Sequence, residues 1–324
     1  MTLMEKKKKK NPGKIPVAII RRGFLRYVYG LGARALLIFM GFWWIPVETV
    51  STKKELVTLS SLAAPTRHPI PLSLFFSRTS AGAKQGSSWP PGSQVGSGDI
   101  IVCNHVSYVE VLYLAFRYCP TFTQIYTKGG PEGKTLVQPV SMYTAISNCF
   151  GVPALDATGV SDAVPLETLT SRARKEGLGP VVVFPEATTS NGLGIVKFAP
   201  VFKGFADKEA HIQVAGFKFE FNEFSPAFTA GSPQKHFFQL LCQLHNHLEV
   251  KFATPAENPS LKTPAAESEA EDREDPLGGQ IATTLARLLR LRRVQLTAED
   301  KINFLSYFNE RKKGYQAAEK TKQN

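Results

Sequence analysis

The middle of the chain alternates short apolar runs with longer stretches of helical character. Such alternation is typical of an α/β layered domain. The pattern predicts strands at Ile100–Cys103, Thr121–Thr127, Val181–Phe184, His211–Phe217 and His247–Phe252. It predicts helices at Val109–Tyr118, Thr135–Cys149 and Val164–Glu176, the last of which should end at Gly177.

The flanking regions differ from this middle part and suggest five segments. Residues 1–55 form a basic, membrane-associated N-terminal segment, and residues 56–98 a linker rich in Ser, Pro and Gly. Residues 99–253 form the domain that carries the alternating pattern. Residues 254–280 are acidic and predicted to be disordered, and residues 281–324 carry two basic helices, at 281–293 and 298–312. Thr297 with Asp300 resembles a capping box at the start of the second helix.

Charge is concentrated at the two ends of the 324-residue chain. The formal net charge is +12, of which residues 1–26 carry +8 and residues 281–324 carry +6, whereas residues 254–280 carry −5. Basic ends favour an anionic surface, either a nucleic acid or a membrane.

The segment that follows the first basic region favours the membrane. Ala35–Val47 contains no charged side chain, and its Trp43 and Trp44 are typical of a lipid–water interface. The run is too short to span a bilayer. We therefore expect a membrane partner and no nucleic acid.

Gly30 and Gly32 separate two apolar arms, Ile15–Tyr29 and Ala35–Val47. The pattern predicts a monotopic hairpin or an interfacial helix that enters and leaves the membrane on one face. A single span and a buried helix of the globular core remain the alternatives.

Cysteine and histidine spacing excludes several classes of protein. The four cysteines form no CxxC pair, which argues against a disulfide scaffold and a zinc ribbon, and His245 and His247 lack metal-ligand spacing. The segment GGPEGKT misses the P-loop pattern by one position. We expect no metal and no resident cofactor.

The first informative motif is NHVSYVE, residues 104–110. His105 follows a predicted buried strand, and Glu110 lies in the first turn of the next helix, from which a carboxylate can fold back onto the imidazole. Ser107 and Cys103 are the candidate protein nucleophiles nearby, and neither has a nucleophile motif around it. A base without a clear protein nucleophile indicates that the attacking hydroxyl belongs to a substrate.

The second motif is FPEATTSNG, residues 184–192, which ends the predicted strand Val181–Phe184 in a polar turn. Ligands of open α/β sheets bind beyond the carboxyl ends of strands. Both motifs should therefore open on the same edge of the sheet.

Together the two motifs resemble the first and third sequence blocks of the glycerolipid acyltransferase superfamily, N-H-x4-D and F-P-E-G-T. Tyr126-Thr127-Lys128 with Val152-Pro153 resembles the second block, and Ile212–Phe217 the fourth. The basic apolar N-terminus and the C-terminal helical region are similar to fungal lysophosphatidic acid acyltransferases of the endoplasmic reticulum and lipid droplets. The resemblance implies a mixed sheet flanked by helices.

The resemblance also implies roles for individual residues. His105 and Glu110 are the catalytic pair. Glu186 and Thr188 bind the acceptor, together with Thr189 and Asn191 of the same block. Two positions depart from the family pattern. Glu110 stands where Asp is usual, and Ala187 replaces a glycine, so the turn should not be freely left-handed.

The residues expected to recognise phosphate also depart from the family pattern. Thr189 stands where the family often carries a phosphate-binding Arg, and Asp156 is followed by Ala157 rather than by Arg. Lys128 and Lys197, or Lys203, are the expected substitutes.

The implied activity is transfer of a fatty acyl group from acyl-CoA to a lysophospholipid, lysophosphatidic acid first of all. Lysophosphatidylcholine or another lysophospholipid is the alternative acceptor, and a non-catalytic membrane scaffold is the alternative of another class. Acyl-CoA is cytosolic, so the catalytic edge should face the cytosol at the endoplasmic reticulum membrane or a lipid droplet.

Overall fold

A computed structural model describes residues 17–51, 95–221, 224–259 and 274–323. The described helices are α1 Val17–Phe39, α2 Tyr108–Tyr118, α3 Met142–Asn148, α4 Leu166–Glu176, α5 Pro233–Leu241, α6 Pro276–Leu289 and α7 Ala298–Gln323. The strands are β1 Val47–Val50, β2 Ile100–Cys103, β3 Thr121–Tyr126, β4 Leu136–Val140, β5 Val181–Val183, β6 Gly194–Ile195, β7 Ile212–Glu220, β8 His247–Ala253 and β9 Arg292–Arg293.

Seven of these strands form one mixed sheet in the order β1-β8-β7-β2-β5-β3-β4. The centre of the sheet is parallel, because β2 pairs in parallel with both β7 and β5, and β5 with β3. Antiparallel pairs join β7 to β8 and β3 to β4. The predicted α/β class with a mixed, helix-flanked sheet is confirmed.

Helices cover both faces of the sheet. Helices α1, α2, α3 and α5 pack on one face, and α4 and α6 pack on the other. The central strands are apolar on both faces, as expected for covered parallel strands. At Gly216 in β7 an added Cβ would lie 2.7 Å from a methyl group of Leu289, so glycine lets α6 approach the sheet closely.

The structure differs from the predicted helix at Thr135–Cys149. Residues Leu136–Val140 form the edge strand β4, and only Met142–Asn148 is helical. Ser141 separates the two elements as the N-cap of α3, with its hydroxyl accepting a hydrogen bond from the Thr144 N–H at 3.1 Å. A capping serine thus begins a new element where the apolar pattern predicts a continuous helix.

The N-terminal segment also differs from its prediction. Helix α1 runs without interruption through Gly30 and Gly32, so the predicted break between two arms is wrong. Leu37 and Phe42 are buried in the core beside α2, and β1 extends the main sheet through parallel pairing with β8. The alternative prediction, a buried helix of the globular core, therefore holds for one face of α1.

The opposite face of this region is exposed and apolar. Phe39 is 68% exposed, Trp43 57% and Trp44 48%. Within the described part of the chain, no helix combines the length and the hydropathy needed to cross a membrane.

Both C-terminal helices are present, but the first is shifted toward the N-terminus relative to the predicted 281–293. It ends at Leu289, and Arg292–Arg293 of the predicted helix form the strand β9 instead. Helix α6 starts at Pro276, inside the segment predicted to be disordered, and residues 260–273 of that segment lie outside the described residues. Helix α7 starts at Ala298. The predicted cap is confirmed, because the Thr297 N–H and hydroxyl donate to Asp300 Oδ2 at 2.7 and 2.9 Å. Of the predicted linker, residues 95–98 alone are described.

Candidate active site

The two motifs meet at one edge of the sheet, as predicted. Strands β2 and β5 are parallel neighbours, with Val102 paired to Val183. Their carboxyl ends therefore open together. The backbone N–H of His105 donates to Glu186 Oε1 at 3.0 Å, and the backbone N–H of Ser190 donates to the His105 carbonyl at 2.7 Å.

His105 is held by Glu110, five residues further along. Nδ1 of the imidazole lies 3.1 Å from Glu110 Oε1. The same oxygen accepts the backbone N–H of Ser107 at 2.6 Å and that of Val106. The Ser107 hydroxyl accepts the Val109 N–H at 3.3 Å, so Glu110 closes the capping box of α2 while it orients the histidine. With Nδ1 protonated toward the carboxylate, Nε2 carries the free lone pair.

The rest of the imidazole environment is apolar and tightly packed. The ring of Phe184 stacks on His105, with centroids 4.0 Å apart and planes inclined by 18°. Nε2 lies 3.6 Å from Cys149 Sγ, which follows α3. His105 is 7% exposed and Glu110 is fully buried, so the pair is shielded from bulk water on most sides.

Three groups near His105 could serve as protein nucleophiles. The Ser107 hydroxyl donates to the Pro226 carbonyl at 2.7 Å. Burial raises the pKa of Cys103 and that of Cys149 well above the ordinary range, and Glu110 adds to both shifts. Both cysteines are therefore neutral thiols at physiological pH, the less reactive form.

Glu186 is buried where the two loops meet. Its Oε1 accepts the His105 N–H, and its Oε2 accepts the Val196 N–H at 3.3 Å. Burial raises the pKa of Glu186 to about 8, against the opposing effect of these hydrogen bonds. At neutral pH most of this side chain is protonated. In this structure it joins backbone segments, while its predicted contact with an acceptor stays a prediction.

The turn after Glu186 is left-handed despite its alanine. Ala187 has φ 52°, a region that non-glycine residues enter at a cost of roughly 1–2 kcal/mol. Alanine thus makes this conformation costly without preventing it, which agrees with the prediction that the turn is not freely left-handed. The turn is held by the Ala187 N–H, which donates to the Phe184 carbonyl at 3.0 Å, and by the contacts of Glu186.

A cavity of about 150 Å³ opens beside His105. Thr188 and Thr189 line it, as do Val152 and Pro153 of the predicted second block. The cavity is too small to enclose a whole lysolipid.

The other predicted binding residues lie farther from this cavity. Asn191 is exposed, and its Oδ1 accepts the Leu193 N–H at 3.1 Å within its own turn. Lys128 forms an exposed ion pair with Glu299 at 2.7 Å. Lys197 is exposed and lines a second cavity of about 220 Å³ between the Glu186 turn and the start of α7. Their roles in binding remain predictions.

Three residues at the site were not predicted: Cys149, Phe184 and Lys301. Phe184 follows β5 directly and is the first residue of the second motif, so the sequence itself indicates its position near the site. Cys149 and Lys301 lie 44 and 196 positions after His105. Only tertiary packing brings them to the edge of the sheet.

No group of three or more His, Cys, Asp or Glu side chains is placed to hold a metal ion in the described ranges. The expectation that the protein needs no metal and no resident cofactor stays a prediction.

Sequence comparison finds two acyltransferases among the similar proteins. The chain is 28% identical over 183 residues to the lysophospholipid acyltransferase LPEAT1 of Arabidopsis thaliana, covering 54% of this chain and 40% of the relative. It is 26% identical over 220 residues to a putative lysophosphatidic acid:oleoyl-CoA acyltransferase of Schizosaccharomyces pombe, covering 67% of this chain and 65% of the relative. The predicted resemblance to acyltransferases is confirmed.

These matches span less than two thirds of either relative's length. No protein-family model and no solved structure matches the chain. The similarity therefore supports a resemblance to acyltransferases, over part of each relative's length.

Proposed function

We propose that the protein transfers a fatty acyl group from acyl-CoA to the free hydroxyl of a lysophospholipid, with lysophosphatidic acid as the first candidate acceptor. The observation that carries this proposal is the buried His105–Glu110 pair, whose histidine lines a cavity at the carboxyl edge of the sheet. The names of the two relatives support the same reaction class.

The geometry suits general-base catalysis. His105 Nε2 takes the proton from the acceptor hydroxyl, and the oxygen attacks the thioester carbonyl carbon. The tetrahedral intermediate then collapses with cleavage of the carbon–sulfur bond. The proton passes from Nε2 to the departing CoA sulfur, which leaves as the thiol. Glu110 stabilises the transient imidazolium, and a positioned base of this kind contributes about 10²–10⁴-fold in rate.

A competing route would form an acyl-enzyme on Cys149. Glu110, His105 and Cys149 do form a continuous chain of contacts. The raised pKa of the thiol and its 1% exposure both disfavour attack by sulfur. We therefore favour direct transfer, in which the acceptor hydroxyl approaches Nε2 beside the thiol.

The exposed apolar side chains at the end of α1 and just after it support interfacial membrane docking. Phe39, Trp43 and Trp44 can enter the headgroup layer, and the preceding residues of the chain carry positive charge that anionic lipids attract. We place the protein at the endoplasmic reticulum membrane or a lipid droplet with its catalytic edge toward the cytosol, where acyl-CoA is found.

Vesicle flotation tests this docking. Replacing Phe39 and Trp44 together by serine should reduce binding to phosphatidylcholine–phosphatidylserine vesicles by more than tenfold, because burying each such side chain is worth about 1.5–3 kcal/mol. The matched control is Tyr307→Ser, which removes an aromatic ring of similar exposure from α7. Equal loss in both variants would refute a specific docking face.

A substrate panel tests the reaction itself. Purified protein in vesicles should transfer the labelled oleoyl group of oleoyl-CoA to lysophosphatidic acid faster than to lysophosphatidylcholine or lysophosphatidylethanolamine. A reversed order would move the assignment to another lysophospholipid acyltransferase. Failure with every acceptor and with several acyl-CoA chain lengths would support a non-catalytic scaffold.

A further inference from the structure

Lys301 brings its ammonium group from α7 to the turn that follows β5. Its Nζ donates to the Thr189 carbonyl at 2.9 Å and also to the Thr189 hydroxyl. Thr189 lines the cavity beside His105, and its hydroxyl lies 3.5 Å from the Cys149 carbonyl. A cation from the C-terminal region is thus placed against the wall of the catalytic cavity.

The helix that carries Lys301 is fixed at its start by several contacts. Asp300 caps it through Thr297. The Lys197 N–H donates to the Leu296 carbonyl at 2.9 Å. Ala298 is buried at 7% exposure, whereas the surface of α7 beyond it is largely exposed. These contacts fix the start of α7, and with it the position of the Lys301 backbone beside the Thr189 turn.

The amine forms no ion pair with any residue that the structure describes. No carboxylate oxygen lies within 4 Å of Lys301 Nζ across the parts of the chain described above. Burial lowers the pKa of Lys301 to about 8, an effect that Cys149 and Glu186 partly offset. Glu186 is itself mostly protonated at neutral pH. A partly buried cation without a counter-ion is costly, and an anion bound from outside relieves that cost.

The expected substrates supply such an anion. In lysophosphatidic acid the phosphate and the accepting hydroxyl sit on neighbouring carbons of glycerol, so one molecule can reach both a cation and a base across a small cavity. CoA also carries phosphates. The alternative lysines are less suited, because Lys128 is exposed and paired with Glu299, and Lys197 is exposed.

We propose that Lys301 binds a phosphate group of a substrate at the Thr188–Thr189 turn while His105 acts on the acceptor hydroxyl. This assignment rests on the proposed acyl transfer. It makes the C-terminal helix part of the substrate site.

Steady-state kinetics of Lys301→Met test the proposal. Loss of a charge-assisted contact to phosphate should raise one substrate KM roughly 10- to 100-fold with a much smaller change in kcat. Lys301→Arg should recover a large part of this loss, because it keeps the charge. Lys312→Met, on an exposed part of the same helix, is the matched control and should leave both KM values unchanged.

The two sources of phosphate are separated by varying each substrate. A higher KM for lysophosphatidic acid assigns the phosphate to the acceptor. A higher KM for acyl-CoA, absent with acyl-pantetheine as donor, assigns it to CoA. If Lys301→Met instead lowers kcat with both KM values unchanged, and Lys301→Arg does no better, the lysine only anchors α7 and the proposal is wrong.

A binding measurement keeps this test independent of turnover. Glycerol 3-phosphate titrated into the full chain should bind wild type and the Lys312→Met variant alike, and Lys301→Met at least tenfold more weakly. Lys301-dependent binding without acyl transfer to any lysolipid would refute the proposed reaction and retain the phosphate site. Acyl transfer with Lys301-independent binding and unchanged KM values would refute the phosphate site alone.

Discussion

The two loops at the carboxyl edge of the sheet are held in different ways. The His105 loop is stabilised from within, because Glu110 accepts N–H groups from residues at most four positions away and orients the imidazole with the same oxygen. The Glu186 loop depends on distant partners. Its contacts reach the His105 backbone, Val196 and Lys301.

This difference separates the chemistry from the binding. The carboxylate that orients the proposed base lies in the same seven-residue stretch as the histidine, residues 104–110. The Glu186 loop combines a left-handed alanine, a buried carboxyl group and a contact to Lys301 of the C-terminal helix. Changes in the first loop should act on kcat, and changes in the second on stability and KM.

The largest of these effects is expected at Glu110. Glu110→Gln keeps the shape and removes the charge that stabilises the imidazolium, so kcat should fall about 100-fold. Glu110→Asp keeps the charge on a shorter side chain and should lose about tenfold, since one oxygen no longer reaches both the cap and the imidazole. Equal rates for the Gln variant and wild type, with unchanged near-UV circular dichroism, would reduce Glu110 to a helix cap.

The next effect concerns the pH dependence of stability at Glu186. Its pKa is about 8 in the folded protein and near its ordinary value in the unfolded chain, so between these values the folded state holds a proton that the unfolded state has released. Raising the pH across that window therefore destabilises the wild type, by up to about 1.4 kcal/mol per pH unit. Glu186→Gln should flatten this slope in urea midpoints measured at pH 5, 6.5 and 8, and an unchanged slope would contradict the raised pKa.

A smaller effect is expected at Ala187. Ala187→Gly removes the strain of a positive φ and should stabilise the fold by about 0.5–1 kcal/mol after the entropy of glycine is counted. Ala210→Gly, at an ordinary φ, is the control and should destabilise. A lower midpoint for Ala187→Gly would mean that the methyl group contributes packing that outweighs the strain.

The smallest effect on rate is expected at Cys149. If the acceptor is acylated directly, Cys149→Ala should keep kcat within about threefold. The wild-type protein should then form no acyl adduct. Intact mass after incubation with acyl-CoA alone checks this. A stable or kinetically competent adduct at Cys149 would establish the double-displacement route.

The features that can be predicted from the sequence are those determined by residues close together in the chain. Buried strands such as Val181–Val183 and the stop at Gly177 follow from apolar runs and a left-handed cap. The joint edge of the two motifs follows from parallel pairing. The boundary at Ser141 could not be predicted, because a short apolar run does not distinguish a strand from a helix.

The remaining features arise from packing over long separations. Helix α1 carries an apolar pattern that is compatible with a membrane or with a core. It meets α2 on one face, while Phe39 at its end and Trp44 beyond it stay exposed. In the sequence, Lys301 resembles any other lysine of a basic helix. Only the folded structure shows that its amine donates hydrogen bonds to Thr189. Neither assignment is available from residues read in order.

The most direct test of the account is single-turnover acyl transfer by His105→Ala in vesicles. With saturating oleoyl-CoA and the best acceptor of the panel, the rate should fall by at least 100-fold, while the melting temperature and vesicle binding stay close to wild type. Retention of more than about a tenth of the wild-type rate would contradict the central claim that His105 is the base that activates the acceptor hydroxyl.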